Sequence, residues 1–360
     1  MAPRSLMTAL ALALALPGCA LPDFEKVDAL EPDPNREMDS GPPVDDRGPG
    51  CGRSAELPVA CDDCIRMHCC DLAEACGEGT ECGEDLLEPI TPVADFSLEF
   101  DPLLACMQRR CDAECEVNWG CVDNYEWPEP PESVDLAVQV VDYAATVDAA
   151  LEDVTVQACE AVDPSCDTGR RSEGITDAEG NVVLPGVPGN FDGFYSFSGA
   201  GYMDATVQWS EPIHRVTGFT QYQLTPSAVK ALALITGVHQ SADDMFEPGR
   251  GHLIFRVQGC LPMRYLSGGE LPLAETAGAH VSFEPSDGAT QVFYTEESGG
   301  VSVNLDATTI DALGGAFNVA PRNLTVTAVD VATDREVARG TVRVRAGAIG
   351  YMYLVARSQL

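Results

Sequence analysis

The chain has 360 residues, enough for two or three domains, and its 45% apolar content excludes a chain that is disordered throughout. Its 57 acidic residues against 21 basic ones give a formal net charge of −36, which repels phosphate backbones and excludes nucleic acid as an expected partner. The same charge argues against polybasic attachment to anionic lipid, and 15 cysteines argue against a reducing compartment unless they hold metal.

Residues 1–18 have the parts of a secretory signal: Arg4, then an apolar run from Leu6 to Leu16 that is too short to span a bilayer as a helix. The run ends in Leu16-Pro17-Gly18-Cys19, which resembles the lipobox of bacterial lipoproteins. That resemblance implies cleavage before Cys19, acylation of its thiol, and attachment to a membrane through two or more acyl chains. Ala20 follows where an aspartate favours inner-membrane retention, so the resemblance points to the outer membrane, on its periplasmic or cell-surface face. Residues 19–50 read as an acylated, disordered tether with six prolines and nine acidic residues, too polar to offset the entropy of ordering.

Residues 51–133 read as a small disulfide-rich α-helical domain, with Cys51, Cys61, Cys64, Cys69, Cys70, Cys76, Cys82, Cys106, Cys111, Cys115 and Cys121. Cys61, Ile65, Cys69, Leu72 and Cys76 recur at helical spacing, as do Leu104, Met107, Cys111 and Cys115. The spacing predicts two antiparallel helices, joined by a loop over Gly77 to Pro102 and stapled by disulfides that make up for a small core. Cys61-Asp62-Asp63-Cys64 with His68 has two sharper readings, a zinc site and a redox pair. No second C-x-x-C of matching spacing and no βαβ pattern accompanies it, so structural disulfides are expected, with no metal and no cofactor.

The texture changes at Val134 to short β-rich runs broken by Gly, Pro and Asp. Residues 134–224 are expected to form a first β-sandwich, including strands over Val134 to Val141 and Asp153 to Cys159 and a hairpin turning at Asp177 to Gly180. Cys159 and Cys166 are expected to close a local disulfide, because Asp163-Pro164 favours a turn between them. After Gly201, Met203, Ala205, Val207 and Trp209 alternate with Tyr202, Asp204, Thr206 and Gln208. The outward row Tyr202, Asp204 and Gln208 is a candidate sugar contact, with an exposed strand as the plainer account.

Residues 225–250 read as a helical connector, with Thr225 as cap, Pro226 in the first turn and an end near Thr236; its Val229, Leu232, Ala233 and Leu234 are expected to pack between the flanking units. Residues 251–360 are expected to form a second β-sandwich with strands around Leu253 to Val257, His280 to Phe283, Leu324 to Val329 and Gly340 to Val344. It repeats the first in outline: Asp177 to Gly180 corresponds to Asp311 to Gly314, and Pro188 to Asn190 to Pro321 to Asn323. Cys260 is left over by parity, either bridging to the amino-terminal cluster or buried free. The proline- and acid-rich Glu126 to Ser133 reads as a boundary between independent units, which favours the free cysteine.

Thr176-Asp177-x-x-Gly180, Val187-Pro188 and Gly201-Tyr202 resemble the carboxypeptidase regulatory-like domain, a transthyretin-type β-sandwich, and Asp311-x-x-Gly314-x-x-Phe317-Asn318-Val319-x-Pro321 resembles a second copy. The whole layout is similar to lipoproteins of myxobacteria. The resemblance implies a mainly β fold and a non-catalytic accessory role. No G-x-S-x-G or H-E-x-x-H occurs, and His68, His214, His239, His252 and His280 are scattered. The expected function is a membrane-anchored surface binding or structural module that meets an envelope protein or polysaccharide. The alternative is an envelope enzyme, or an accessory subunit of one, whose mark would be a pocket gathering a histidine and carboxylates.

Overall fold

The computed structural model describes residues 57–76, 80–86, 97, 100–126, 129–143, 149–163, 165–211, 218–235, 249–260, 277–296, 301–309 and 312–358. The protein is mainly β, with several sheets and a disulfide-rich helical region at its amino-terminal end.

In that region α1 (Val59–His68) and α2 (Cys70–Ala75) meet α4 (Asp101–Arg110) and α5 (Asp112–Cys115). Each of the two predicted helices is therefore broken in two. The breaks fall at Cys69 and Cys111, whose backbones adopt nearly the same non-helical conformation, with φ −127° and −130°. The loop predicted between them holds a short helix, α3 (Glu81–Asp85), whose Gly83 amide donates to the Thr80 hydroxyl at 3.0 Å. Three disulfides form an antiparallel ladder across the pair: Cys61–Cys115, Cys64–Cys111 and Cys69–Cys106. Cys76–Cys82 closes a local loop, and Cys70 is disulfide-bonded as well. Ile65, Phe100, Leu103, Leu104, Met107 and Val117 are buried among these sulfurs. Cystine thus supplies much of a core that so few apolar side chains cannot build alone.

Sixteen strands follow among the described residues. In the first lobe β1 (Ser133–Asp142) pairs antiparallel with β5 (Asn181–Pro188) and parallel with β8 (Gly218–Gln223), and the short β2 (Ala149–Ala150) also joins β1. Facing that sheet are β4 (Arg170–Ile175), β3 (Thr155–Glu160), β6 (Gly193–Ser198) and β7 (Ala205–Trp209), hydrogen-bonded in that order. Leu136, Val138 and Val140 of β1 and Val182, Leu184 and Val187 of β5 alternate into the core, where they meet Val156, Phe197 and Val207. The β4–β5 turn follows the sequence expectation. The Asp177 carboxylate accepts from the amides of Glu179 and Asn181, and Gly180 takes φ +75°, where a Cβ would strike the Val140 carbonyl.

The second lobe repeats this connectivity. β9 (Gly251–Gln258) pairs antiparallel with β13 (Leu313–Val319) and parallel with β16 (Ile349–Val355), as β1 does with β5 and β8. β10 (Ala279–Glu284), β14 (Asn323–Asp330) and β15 (Arg335–Arg343) form the second sheet, matching β3, β6 and β7. The sequence correspondences fall in place: Gly180 precedes β5, and Gly314 lies in the equivalent β13. Gly314 and Gly315 leave room for the rings of Phe255 and Phe293, which a Cβ at either position would strike. The repeats differ at β11 (Gln291–Thr295), which joins β13 and carries the short β12 (Val301–Ser302) at the edge.

Two features correct the expectation of independent units. First, the lobes share one sheet. β16 lies parallel to both β7 and β9, so a single nine-stranded sheet runs β12-β11-β13-β9-β16-β7-β6-β3-β4. The cores merge accordingly: Phe293, Phe317, Ile349 and Tyr351 belong to the same buried cluster as Val156 and Phe197. The connector helix α6 (Pro226–Ile235) begins as expected, with the Ala228 amide donating to the Thr225 hydroxyl at 3.1 Å. Val229 and Ala233 are buried in that shared core, whereas Leu234 is 42% exposed.

Second, Cys260 is bridged. Cys121–Cys260 joins the helical region to the end of β9 across 139 residues, with Cα atoms 5.5 Å apart. Around it the Cys260 amide donates to the Asn118 carbonyl at 2.8 Å, the Asp123 amide to the Arg357 carbonyl at 2.8 Å, and the Tyr125 hydroxyl to the Ala356 carbonyl at 2.6 Å. The Arg357 guanidinium grips Asp123 through two bonds of 2.7 and 2.8 Å. Cys121, Val122 and Tyr125 enter the second lobe's core. The helical region is thus fastened to the lobe farther from it in sequence. The segment from Glu126 to Ser133, expected as a boundary, runs into β1 at Ser133, and a linker in sequence does not prevent docking downstream.

Cys159–Cys166, with Cα atoms 5.2 Å apart, braces the loop after β3. Inside it the Asp163 carboxylate accepts from the amides of Gly169 and Thr168 at 2.7 and 2.6 Å and from Ser165, which holds it well below the usual carboxylate range. Asp287 plays a like part at the β10–β11 turn. Burial alone would raise it, but Thr290, Arg250 and the amides of Ala289 and Thr290 outweigh that and bring it to about 2. Arg322 adds a second ion pair at 2.9 Å.

Two outcomes are expected. Peptide mapping without reduction should recover Cys121 linked to Cys260, and the double variant Cys121→Ala/Cys260→Ala should lose about 4–5 kcal/mol of unfolding free energy, as a long closed loop implies; separate, alkylated peptides would refute the bridge. The lowered Asp287 pKa contributes stability that is present above the unfolded value of 3.8 and lost as pH falls through 3.8 toward 2. Chemical denaturation over that interval should therefore show a shallower loss in Asp287→Asn than in the unsubstituted protein.

Candidate functional site

β7 and its surroundings hold the residues with most chemical interest. β7 is flanked on both sides, by β6 and β16, so it is an interior strand of the shared sheet. Ala205 and Val207 face the core, but Thr206 is buried too, because the neighbouring lobe crowds the other face. The predicted outward row is not a continuous exposed strip. Tyr202 precedes the strand, is half-buried, and donates from its hydroxyl to the Asp142 carboxylate at 3.0 Å. Burial and that carboxylate raise its phenol pKa. Asp204 also precedes the strand and accepts at its main-chain carbonyl from the Ile349 amide. Gln208 alone lies within β7, opposite Met352. Tyr202 thus ties the β7 entry to β1 within the protein.

The carboxy-terminal end of β7 carries the more open arrangement. Trp209 stands opposite Tyr353 across the seam, and their rings stack at 4.9 Å and 10°. Tyr195 of β6 and Phe219 of β8 meet the indole edge-on at 5.7 and 5.2 Å, and Phe191 leans on Tyr195 at 5.5 Å. Beyond this cluster the chain is held by Ser210, whose hydroxyl accepts from the Val355 amide at 2.8 Å. A cleft of about 220 Å³ opens here, lined by Val134, Val187 and Pro188 on one side and by Phe191, Tyr195 and Trp209 on the other, with Asp192, Ser210 and Glu211 among its polar residues. Tyr195 is 5% exposed, and its hydroxyl makes no hydrogen bond with any described residue; burial pushes its pKa far up, so it stays a neutral hydroxyl, able to donate and to accept. The Trp209 indole N–H also has no partner, but it is enclosed. Glu211 accepts from the Ser358 hydroxyl at 3.4 Å, while Asp192 is exposed and makes no hydrogen bond or ion pair with any described residue.

The other candidates lie elsewhere. Cys61 and Cys64 are bonded to Cys115 and Cys111, so neither the zinc nor the redox reading of that pair holds. Among the described residues no group of three His, Cys, Asp or Glu side chains converges as a metal site. His252 is buried in the core against Phe317, and burial lowers its pKa to about 4; His280 contacts the Asp306 carbonyl at 2.7 Å. The cleft therefore gathers carboxylates without a histidine. Cys19, Cys51, His214, His239, Asp311 and the predicted signal and tether lie outside the described residues. Among the described residues no helix is long and apolar enough to cross a membrane.

No known family matches this chain, and no curated protein does. Among solved structures it has slight likeness to several bacterial proteins, pilins among them. The shaft pilin SpaA of Lactobacillus rhamnosus GG is 11% identical, with 62% of this chain and 98% of that one covered at a TM-score of 0.19. A minor pilin of Streptococcus agalactiae is 8% identical, over 62% and 96%, at 0.18. The Bacillus anthracis TIE protein is 11% identical, over 62% of this chain and at 0.19, and this chain spans only 34% of its length. At such scores none assigns a ligand or a role, and the fold class rests on the strands and helices themselves.

Replacing Tyr202 by Phe should lower the unfolding free energy by about 1–2 kcal/mol through loss of the bond to Asp142. Urea denaturation measures this; an unchanged midpoint would show that the bond does not hold β7 to β1.

Proposed function

We propose that the protein is an exported lipoprotein, held on a membrane by acyl chains on Cys19, whose folded part is a non-catalytic binding or structural module directed at another envelope component. The observation that carries this reading is the cystine framework. Six bridges are defined, one of them spanning 139 residues, and such a set forms and persists only in an oxidising compartment. The apolar run ending at Cys19 supplies a route there and an anchor on arrival. The acid-rich residues 19–50 act as a spacer between the acyl chains and the folded part. With a net charge of −36 on the whole chain, the protein favours neutral or basic partners, and the outer membrane is the proposed address.

Expression of Cys19→Ala in a bacterial host with lipoprotein processing should leave the chain as an uncleaved precursor or release it from the membrane fraction. Intact-mass measurement of the unsubstituted protein should show the added acyl mass on a chain that begins at Cys19. A mature chain without that mass overturns the reading.

A further inference from the structure

We infer that Cys70 is bonded to Cys51, a pairing that staples the base of the tether onto α2 and leaves Cys19 as the one cysteine of this chain outside the disulfide framework. This deepens the proposed function by fixing where the acylated spacer meets the folded part, and rests on it only for setting Cys19 aside.

The argument begins with elimination. Cys70 is disulfide-bonded. The six defined bridges take up twelve of the 15 cysteines, none of them Cys70. Its partner is therefore Cys19 or Cys51. Cys19 is the acylated residue of the proposed lipoprotein, and a sulfur bonded to a lipid has no valence left for a disulfide. Were the signal instead removed beyond Cys19, Cys51 would still be the remaining candidate.

The surroundings of Cys70 agree. Cys69 is buried and turns into the ladder to meet Cys106, whereas Cys70 beside it is half-buried, at the rim of that core. Leu57, the first described residue, packs against the same core as Leu72, two residues beyond Cys70. From Leu57 back to Cys51 is six residues, about 20 Å of extended chain. The ten residues of α1 span about 15 Å, so Cys51 can reach the far end of that helix, where α2 begins with Cys70. Loop statistics favour the same choice. Cys51 lies 19 residues from Cys70 and Cys19 lies 51 away, so the shorter closure is favoured about 4-fold on the three-halves power of loop length. Closing the bridge breaks two S–H bonds and forms one S–S bond. The two protons and two electrons pass to the disulfide of an exported thiol–disulfide oxidoreductase, which leaves as the dithiol. The free spacer then ends at Cys51, and the acyl anchor is coupled to α2 through sulfur, past α1.

The test uses the full purified chain in detergent. Free thiols are alkylated in denaturant without reductant, and the chain is then cut with trypsin. Cleavage after Arg47 and Arg53 isolates Cys51 in the peptide Gly48 to Arg53, and cleavage after Arg66 and Arg109 releases Met67 to Arg109. The longer peptide holds five cysteines; Cys69 bonds Cys106 and Cys76 bonds Cys82, so its one outward link is that of Cys70. These two peptides should appear as one species that reduction splits. Cys51→Ser should raise the alkylated thiols from none to one per chain, on Cys70, while Cys19→Ala should leave none. Met67 to Arg109 joined to the peptide that carries Cys19, or Cys51 recovered in alkylated form from the unsubstituted protein, would overturn the pairing. Acylation is read separately from the mass of the amino-terminal peptide. An unacylated Cys19 beside an intact Cys51–Cys70 species would end the lipoprotein reading and uphold this one.

Discussion

The hydrogen bonds that β16 makes to both of its neighbours are the constraint on which the architecture depends. Ile349 to Tyr353 pair with Ala205 to Trp209 on one side, and Ile349 to Val355 with His252 to Gln258 on the other. Without β16, β7 would be an edge strand with a bare row of amides and carbonyls, and so would β9. The strand is buried at six of its seven residues, so it also supplies side chains to both cores. Tyr351 reaches across to donate to the Tyr222 carbonyl at 2.8 Å, and Met352 and Leu354 fill the second lobe. The last segment of the chain is thus a structural element of the first lobe. Neither lobe has a complete boundary of its own.

Much of this was legible in the sequence, and the exceptions have a common cause. Alternation marked β1, β14 and the approach to β7, because each faces a core on one side and turns polar residues to the other. Asp177 and Gly180 marked a turn whose hydrogen bonds are local. The Asp177-x-x-Gly180 and Asp311-x-x-Gly314 correspondence located the repeat, since close packing forces glycine at Gly314. β16 was missed. Its run Ile349-Gly350-Tyr351-Met352-Tyr353-Leu354-Val355 does not alternate, and an unbroken apolar run is what a strand covered on both faces requires. The breaks at Cys69 and Cys111 were also invisible, because helical spacing continues through them while the disulfide ladder turns the chain. The Cys121–Cys260 bridge was within reach by parity, but the proline-rich segment before β1 pointed the wrong way. A flexible linker separates neighbours in sequence and leaves either free to dock farther along.

The candidate site was less legible than the fold. The outward row at β7 drew notice by its period, but period says nothing of what lies beside a strand. The cleft is assembled from β1, β5, the β5–β6 loop, β6 and the end of β7, and only the fold brings them together. A sequence signal did exist in the aromatic spacing of Phe191, Tyr195 and Trp209, which rises above the low aromatic content of the chain, 7%. It marks a local concentration without showing that one hydroxyl within it stays open.

The covalent loop has a mechanical meaning. Cys121 and Cys260 enclose between them β1 through β8 and α6 of the first lobe, together with β9. A pull on the chain before Cys121 passes through the sulfur bridge into the second lobe at the end of β9, and need not travel along the backbone of the first. The ladder of disulfides in the helical region likewise carries load between its two arms by covalent bonds. The backbone from β1 through α6 is therefore bypassed by the bridge, while β16 still joins that lobe from beyond it. Strain from the amino-terminal side would reach the first lobe through β16 and the shared core, not along its own backbone.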